Sequence, residues 1–248
     1  MKKLLILLFV FAIGYSNAQD IEGAWKLTHQ NGQMVTDMEY VKIIQDDYFA
    51  FGAKNLSDNH FVAAGGGPIK IDGDKYTETL DFFTLNPLQV GTSTIFKLDM
   101  VDGKMVISAD TDNGMLVEIW ERIEGNKDRL TRNWVITGRK RNDEIRRSTP
   151  GARRTIKILS GGRFQWIAFN SETKEFMGSG GGTYTAENGK YTENITFFSR
   201  DDSRVGASLE FDFDVKDGEW HHSGLSSKGA PIYEIWSPYE IAYKPENK

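Results

Sequence analysis

The chain has 248 residues, no cysteine, and 35 acidic against 30 basic side chains, for a formal charge of −5. An acidic balance argues against nucleic-acid binding. The missing cysteine rules out disulfides, thiol chemistry and a cysteine-borne lipid anchor.

The first eighteen residues, MKKLLILLFVFAIGYSNA, combine two lysines, an apolar run and a small-residue end. That pattern predicts a secretory signal peptide over 1–18, cut after Ala18, and an exported soluble protein in the periplasm or outside the cell. The apolar run is too short to span a bilayer, so no membrane span is expected. Losing Lys2 and Lys3 takes the charge from −5 to −7.

Beyond residue 18 the chain alternates. Turn pairs such as Asn31-Gly32, Asp46-Asp47, Asp102-Gly103, Asn188-Gly189 and Asp217-Gly218 separate segments such as TIFKLDM and LEFDFDV. Such pairs favour the positive φ angles of two-residue hairpins, and the segments between them are rich in β-branched and aromatic residues. No amphipathic helix of useful length is visible.

The chain is also a repeat. The segment from Ala64 to Phe83 aligns without a gap with Ser179 to Phe198, at an offset of 115. The same offset pairs Lys42-Ile43 with Lys157-Ile158 and Phe61 with Phe176, and one residue more pairs Glu118-Ile-Trp120 with Glu234-Ile-Trp236. A unit of this length is the size of a small domain. The expected architecture is all-β: two tandem antiparallel up-and-down barrels, 19–126 and 127–248, of about eight strands each. An open sandwich is the alternative.

Duplication supplies an internal control. Positions alike in both copies reflect the common fold, and polar positions found in one copy alone are candidates for function. Tyr76-Thr-Glu78 and Tyr191-Thr-Glu193 lean structural by this test, although tyrosine and glutamate share a strand face and form a conceivable acid and base. His222 falls where the first copy has Ile107, and Arg163, Trp166, Tyr184 and Arg204 replace Tyr48, Phe51, Ile69 and Gln89. The segment from Gly138 to Arg154 carries seven basic and two acidic residues, either a solvated hairpin or a lip that attracts an anion.

Several motifs fail. Adjacent His221 and His222 point to opposite faces of a strand and cannot share a metal, so neither a metal site nor a cofactor is expected. The triple glycines lack the helix a nucleotide loop needs, and they read instead as bulges where the strands coil.

Gly23-Ala-Trp25 with Arg122 resembles the Gly-x-Trp and last-strand arginine of lipocalin-like (calycin) barrels, which implies that the arginine stacks over the floor tryptophan. The second copy departs from that pattern, with Asn133 before Trp134 and Ser237-Pro238 in place of the arginine. The tandem Gly-Gly-Gly, Tyr-Thr-Glu and Glu-Ile-Trp pattern resembles secreted bacterial proteins found beside polysaccharide-degrading enzymes, oligosaccharide dehydratases of the ulvan-degradation type among them. This resemblance implies a lyase that removes water across C4 and C5 of a uronic acid at the non-reducing end of an acidic oligosaccharide. Arg204 or Arg163 would neutralise the carboxylate, with Trp166 as a stacking surface. His222 or Tyr191 would be the base, and Tyr184 or Glu193 the acid. The alternative is a non-catalytic barrel for a small apolar or amphiphilic ligand.

Overall fold

The expected turns form as the sequence predicts. Asp46 and Asp47 adopt φ of 52° and 54°, and Asn188 and Gly189 adopt 51° and 77°, the left-handed pair that matches the twist of a tight hairpin. The computed structural model describes residues 21–112, 114–226 and 229–244. The signal peptide read at 1–18 lies outside the described residues.

Eight antiparallel strands make the first barrel: Gly23–Gln30, Met38–Gln45, Tyr48–Asn55, Phe61–Asp72, Lys75–Thr79, Ser93–Val101, Lys104–Thr111 and Gly114–Ile123. The first strand pairs with Met38–Gln45 on one side and Gly114–Ile123 on the other, which closes the sheet. The second barrel repeats this with Arg132–Arg141, Arg153–Ser160, Arg163–Asn170, Glu175–Glu187, Lys190–Phe198, Ser208–Lys216, Glu219–Leu225 and Pro231–Pro238. Its closure joins Arg132–Arg141 to both Arg153–Ser160 and Pro231–Pro238. Closure leaves neither barrel with a long free edge. The open sandwich is excluded.

The triple glycines sit where the strands bend. A Cβ on Gly182 would lie 1.9 Å from the Asn194 carbonyl oxygen, and one on Gly67 would lie 1.8 Å from that of Thr79. The pairing register of Glu175–Glu187 with Lys190–Phe198 shifts between Gly181 and Gly182. Only a residue without a side chain lets the two backbones come this close.

Each barrel has a tryptophan floor. Trp25 Nε1 donates to the Ile21 carbonyl and Trp134 Nε1 to the Leu130 carbonyl, both at 2.9 Å. In the first barrel the Arg122 guanidinium lies 4.2 Å from the Trp25 ring centre, in line with the lipocalin-like motif. Gly23 makes room for it, since a Cβ there would lie 2.5 Å from Arg122 Nη1. In the second barrel Pro238 pairs with Trp134, and Arg132 stands 5.8 Å over its ring from its own strand.

A third apolar cluster lies between the barrels, built on Ile43, Ala50, Ala64, Ile156, Ile158 and Ile167. The strands that cross it bury both faces, one against their own barrel and one against the other. Equivalent residues meet across this seam. Phe61 stacks on Phe176 with ring planes 2° apart, and Ser160 Oγ donates to Gln45 Oε1 at 2.8 Å. Self-pairing of like positions is the signature of a twofold, isologous interface, here within one chain.

Candidate functional site

Both interiors carry the same buried ion pair. Lys42 Nζ lies 2.6 Å from Glu78 Oε1, and Lys157 Nζ lies 2.6 Å from Glu193 Oε1. Tyr76 Oη donates to Glu78 at 2.8 Å and Trp120 Nε1 to Glu118 at 3.0 Å. A charge this deep persists only with a partner, so one ion pair explains why Lys, Tyr and Glu recur in the two copies.

The second barrel adds an imidazole to this layer. His222, 2% exposed, stands where Ile107 packs in the first barrel, with Nδ1 3.5 Å from Glu234 Oε2. Its ring lies 4.2 Å from Phe211, 5.2 Å from Trp220 and 5.8 Å from Tyr191. Burial, assisted by the Lys157 charge, holds its pKa below the usual histidine value despite Glu234, so the ring is neutral at neutral pH. Burial opposes ionisation of Glu234, but the adjacent His222 ring and the charges of Lys157 and Arg139 hold it below the ordinary carboxylate range. Burial also raises the pKa of Tyr191, with Glu193 adding to it, and raises that of Tyr184, with Asp128 adding to it, so both phenols stay protonated.

Above this layer the barrel opens. The strand Arg132–Arg141 starts at the floor with Trp134 and ends in Arg139 and Arg141, while Arg153 and Thr155 precede Lys157 on the adjacent strand. At about 3.3 Å per residue, Thr155 stands one side-chain layer above Lys157. At that level a cavity of about 450 Å³ is lined by Arg139, Arg141, Arg153, Arg154 and Arg200, with Ile136 and Ala168 among its apolar walls. Its lining contains no carboxylate. Arg139 Nε reaches Glu234 Oε1 at 3.3 Å, and Arg200 Nε donates to the Met177 carbonyl at 2.7 Å. Arg141 and Arg153 have no carboxylate partner among the described residues.

The first copy has none of this charge. Arg153 and Arg200 correspond to Met38 and Leu85, and Arg139, opposite Glu234, corresponds to Gln30, opposite Glu118. The duplicated fold is therefore shared below and altered at the mouth.

The residues singled out from sequence divide into three groups. Tyr184, Tyr191, Glu193 and His222 meet inside the second barrel. Trp166 packs against that interior and edge-on to Phe198, with the Arg200 guanidinium 6.0 Å from its ring. Arg163 and Arg204 stand elsewhere: Arg163 in a groove between the barrels, Arg204 in the short turn Asp202–Arg204 with Asp201 at 3.4 Å. Glu234, shared by the two copies, and Arg200 are not among the residues singled out from sequence. The offset that exposed His222 would have exposed Arg200 against Leu85.

The molecule is thus a tandem of two closed eight-stranded antiparallel β-barrels. No family model and no curated protein matches the chain. Solved structures match the chain at low similarity, two of them as follows. One is an uncharacterized protein from Saccharomyces cerevisiae, at 11% identity and a TM-score of 0.46, covering 86% of this chain and 97% of that one. The other is the vaccine antigen transferrin-binding protein B from Haemophilus parasuis, at 9% identity and a TM-score of 0.25, covering 83% and 61%. No helix among the described residues is long and apolar enough to cross a membrane.

Proposed function

We propose that the second barrel binds the anionic end of an acidic oligosaccharide in its arginine-lined mouth, and that the exported protein is a carbohydrate-active lyase of the dehydratase type. One observation carries this reading: a 450 Å³ cleft with five arginines and no carboxylate in its lining is joined, through Arg139 and Glu234, to the buried His222. Arginine matches a carboxylate with two parallel N–H donors. Pairing there withdraws charge from the uronate and makes its C5 proton removable.

Neutral His222 takes that proton, with Glu234 holding the ring and stabilising the imidazolium. The C5 electron pair forms the C4=C5 double bond as the C4–O bond breaks. The 4-hydroxyl leaves as water after accepting a proton from Tyr191 or Tyr184, both of which hold theirs at neutral pH. Glu193 is engaged by Lys157 and acts through the electrostatics of the layer. The resemblance to ulvan-type dehydratases selects the reaction; the arginines select the charge of the ligand.

A non-catalytic reading has its own support, since Lys157, Tyr191 and Glu193 recur as Lys42, Tyr76 and Glu78 in a barrel without the histidine. The separating experiment incubates the mature protein with a panel of uronate-terminated oligosaccharides and follows the ultraviolet absorbance of the unsaturated uronyl product. Turnover that disappears in His222→Ala supports the lyase. Saturable binding without product, equal in wild type and His222→Ala, supports binding alone.

A further inference from the structure

The pseudo-twofold axis gives every feature of the seam a counterpart. On one side Tyr239 packs edge-on to Tyr48 with ring centres 5.2 Å apart and accepts a hydrogen bond from Arg154 Nε at 3.1 Å. Arg154 pairs with Asp81 at 2.6 Å and lies 4.5 Å over Phe169. That side is filled by a phenol, a guanidinium and a carboxylate.

Every one of these positions is changed on the other side. Tyr239 corresponds to Ile123, Tyr48 to Arg163, Arg154 to Glu39, Phe169 to Lys54 and Asp81 to Thr196. What remains is a cavity of about 200 Å³ between the barrels, walled by Val41, Ile43 and Phe197 and edged by Lys26, Lys54 and Arg163. Glu39 is the one carboxylate in its lining, 4.0 Å from each lysine, so the groove keeps two positive charges in excess. Arg163 is half-buried, and among the described residues its guanidinium makes one long hydrogen bond, 3.4 Å to the Gly162 carbonyl. Burial lowers its pKa, with Glu39 as the opposing charge.

We infer that this groove is a binding site for a small organic anion carrying an aromatic ring, of the size and kind of a phenolic carboxylate. The ring takes the place that Tyr239 fills across the axis, against Phe197 and Ile43. The carboxylate pairs with Arg163, whose planar donors suit it, and with Lys54 or Lys26 at the rim. Thr183 and Thr196 supply hydroxyls to a second polar group. Because the groove shares no lining residue with the arginine mouth, the inference stands apart from the lyase reading.

The test titrates 4-hydroxyphenylacetate into the full chain and follows binding by calorimetry and by chemical-shift perturbation. Saturable binding is expected, about tenfold weaker in Arg163→Gln through loss of a charge-assisted pair. Ile123→Tyr, which copies the filled side, should abolish binding while the protein stays folded. No saturable binding, or binding unchanged in both variants, overturns the inference. Glucuronate binding in the groove where 4-hydroxyphenylacetate does not would overturn its aromatic half.

Discussion

Ser160 donates to Gln45 across the seam, and the two residues occupy one position in the two copies. The barrels are therefore related as subunits of a symmetric dimer would be, and the symmetry is broken where the chain has diverged. Asp81 is the centre of the filled side, since Arg154, Tyr48 and Tyr239 all direct donors at its Oδ2. Asp81→Ala strands the buried Arg154 charge and should cost about 3–5 kcal/mol. Urea denaturation checks this, and a loss below about 1 kcal/mol would show that the seam does not depend on the pair.

The interior ion pairs should respond in the opposite sense to single and double replacement. Lys157→Met alone leaves Glu193 buried without its cation and should destabilise by about 3 kcal/mol. Joint replacement by Lys157→Met and Glu193→Leu should recover most of that loss, because two well-packed apolar groups avoid the desolvation of two ions. Equal stability of the single and double variants would contradict the pairing. Lys42 and Glu78 should behave alike.

At the mouth, Arg153→Gln removes a cation with no carboxylate partner and should leave stability within about 0.5 kcal/mol. Affinity for acidic oligosaccharides should fall roughly tenfold, and the remaining binding should be less sensitive to salt. Neutral oligosaccharides should show no such change in a parallel titration. A lost response to charge without any change for Arg153→Gln would move the anion site away from the mouth.

His222 should leave a mark on the pH dependence of stability. Its folded pKa lies below its unfolded value of 6.5, so the unfolded chain takes up the proton first as the pH falls. The contribution is present above pH 6.5 and is lost as the pH drops from there toward the folded pKa, with a slope of up to about 1.4 kcal/mol per pH unit. His222→Gln should flatten the stability profile in that window. An unchanged profile would mean that the ring is not buried in its neutral form. Glu234, held low, acts in a separate and more acidic window.

The backbone claims can be tested at one glycine. Gly182→Ala brings a methyl carbon to 1.9 Å from the Asn194 carbonyl oxygen, and the forced separation of the strands should cost about 3 kcal/mol. Gly189→Ala, in an open turn, meets no backbone atom within 3 Å and should cost less. Comparable melting temperatures for the two variants would refute the close-approach account.

The sequence by itself determined the architecture of each unit. Alternation, turn pairs and a fixed offset of 115 are local or periodic signals, and they sufficed for two all-β units of about eight strands and for the bends at the glycines, with barrel and open sandwich both left as solutions. They also separated shared Lys, Tyr and Glu from the residues found in one copy alone. Tertiary structure decided which of those residues share a site. Arg163 and His222 both looked like second-barrel specialisations, yet one faces the seam and the other the interior, because strands that bury both faces hide which side is which. Arg139, Arg153 and Arg200 converge on one mouth from three strand ends far apart in sequence. Only closure of the sheet sets those ends side by side, and closure depends on long-range hydrogen bonding that no local pattern encodes.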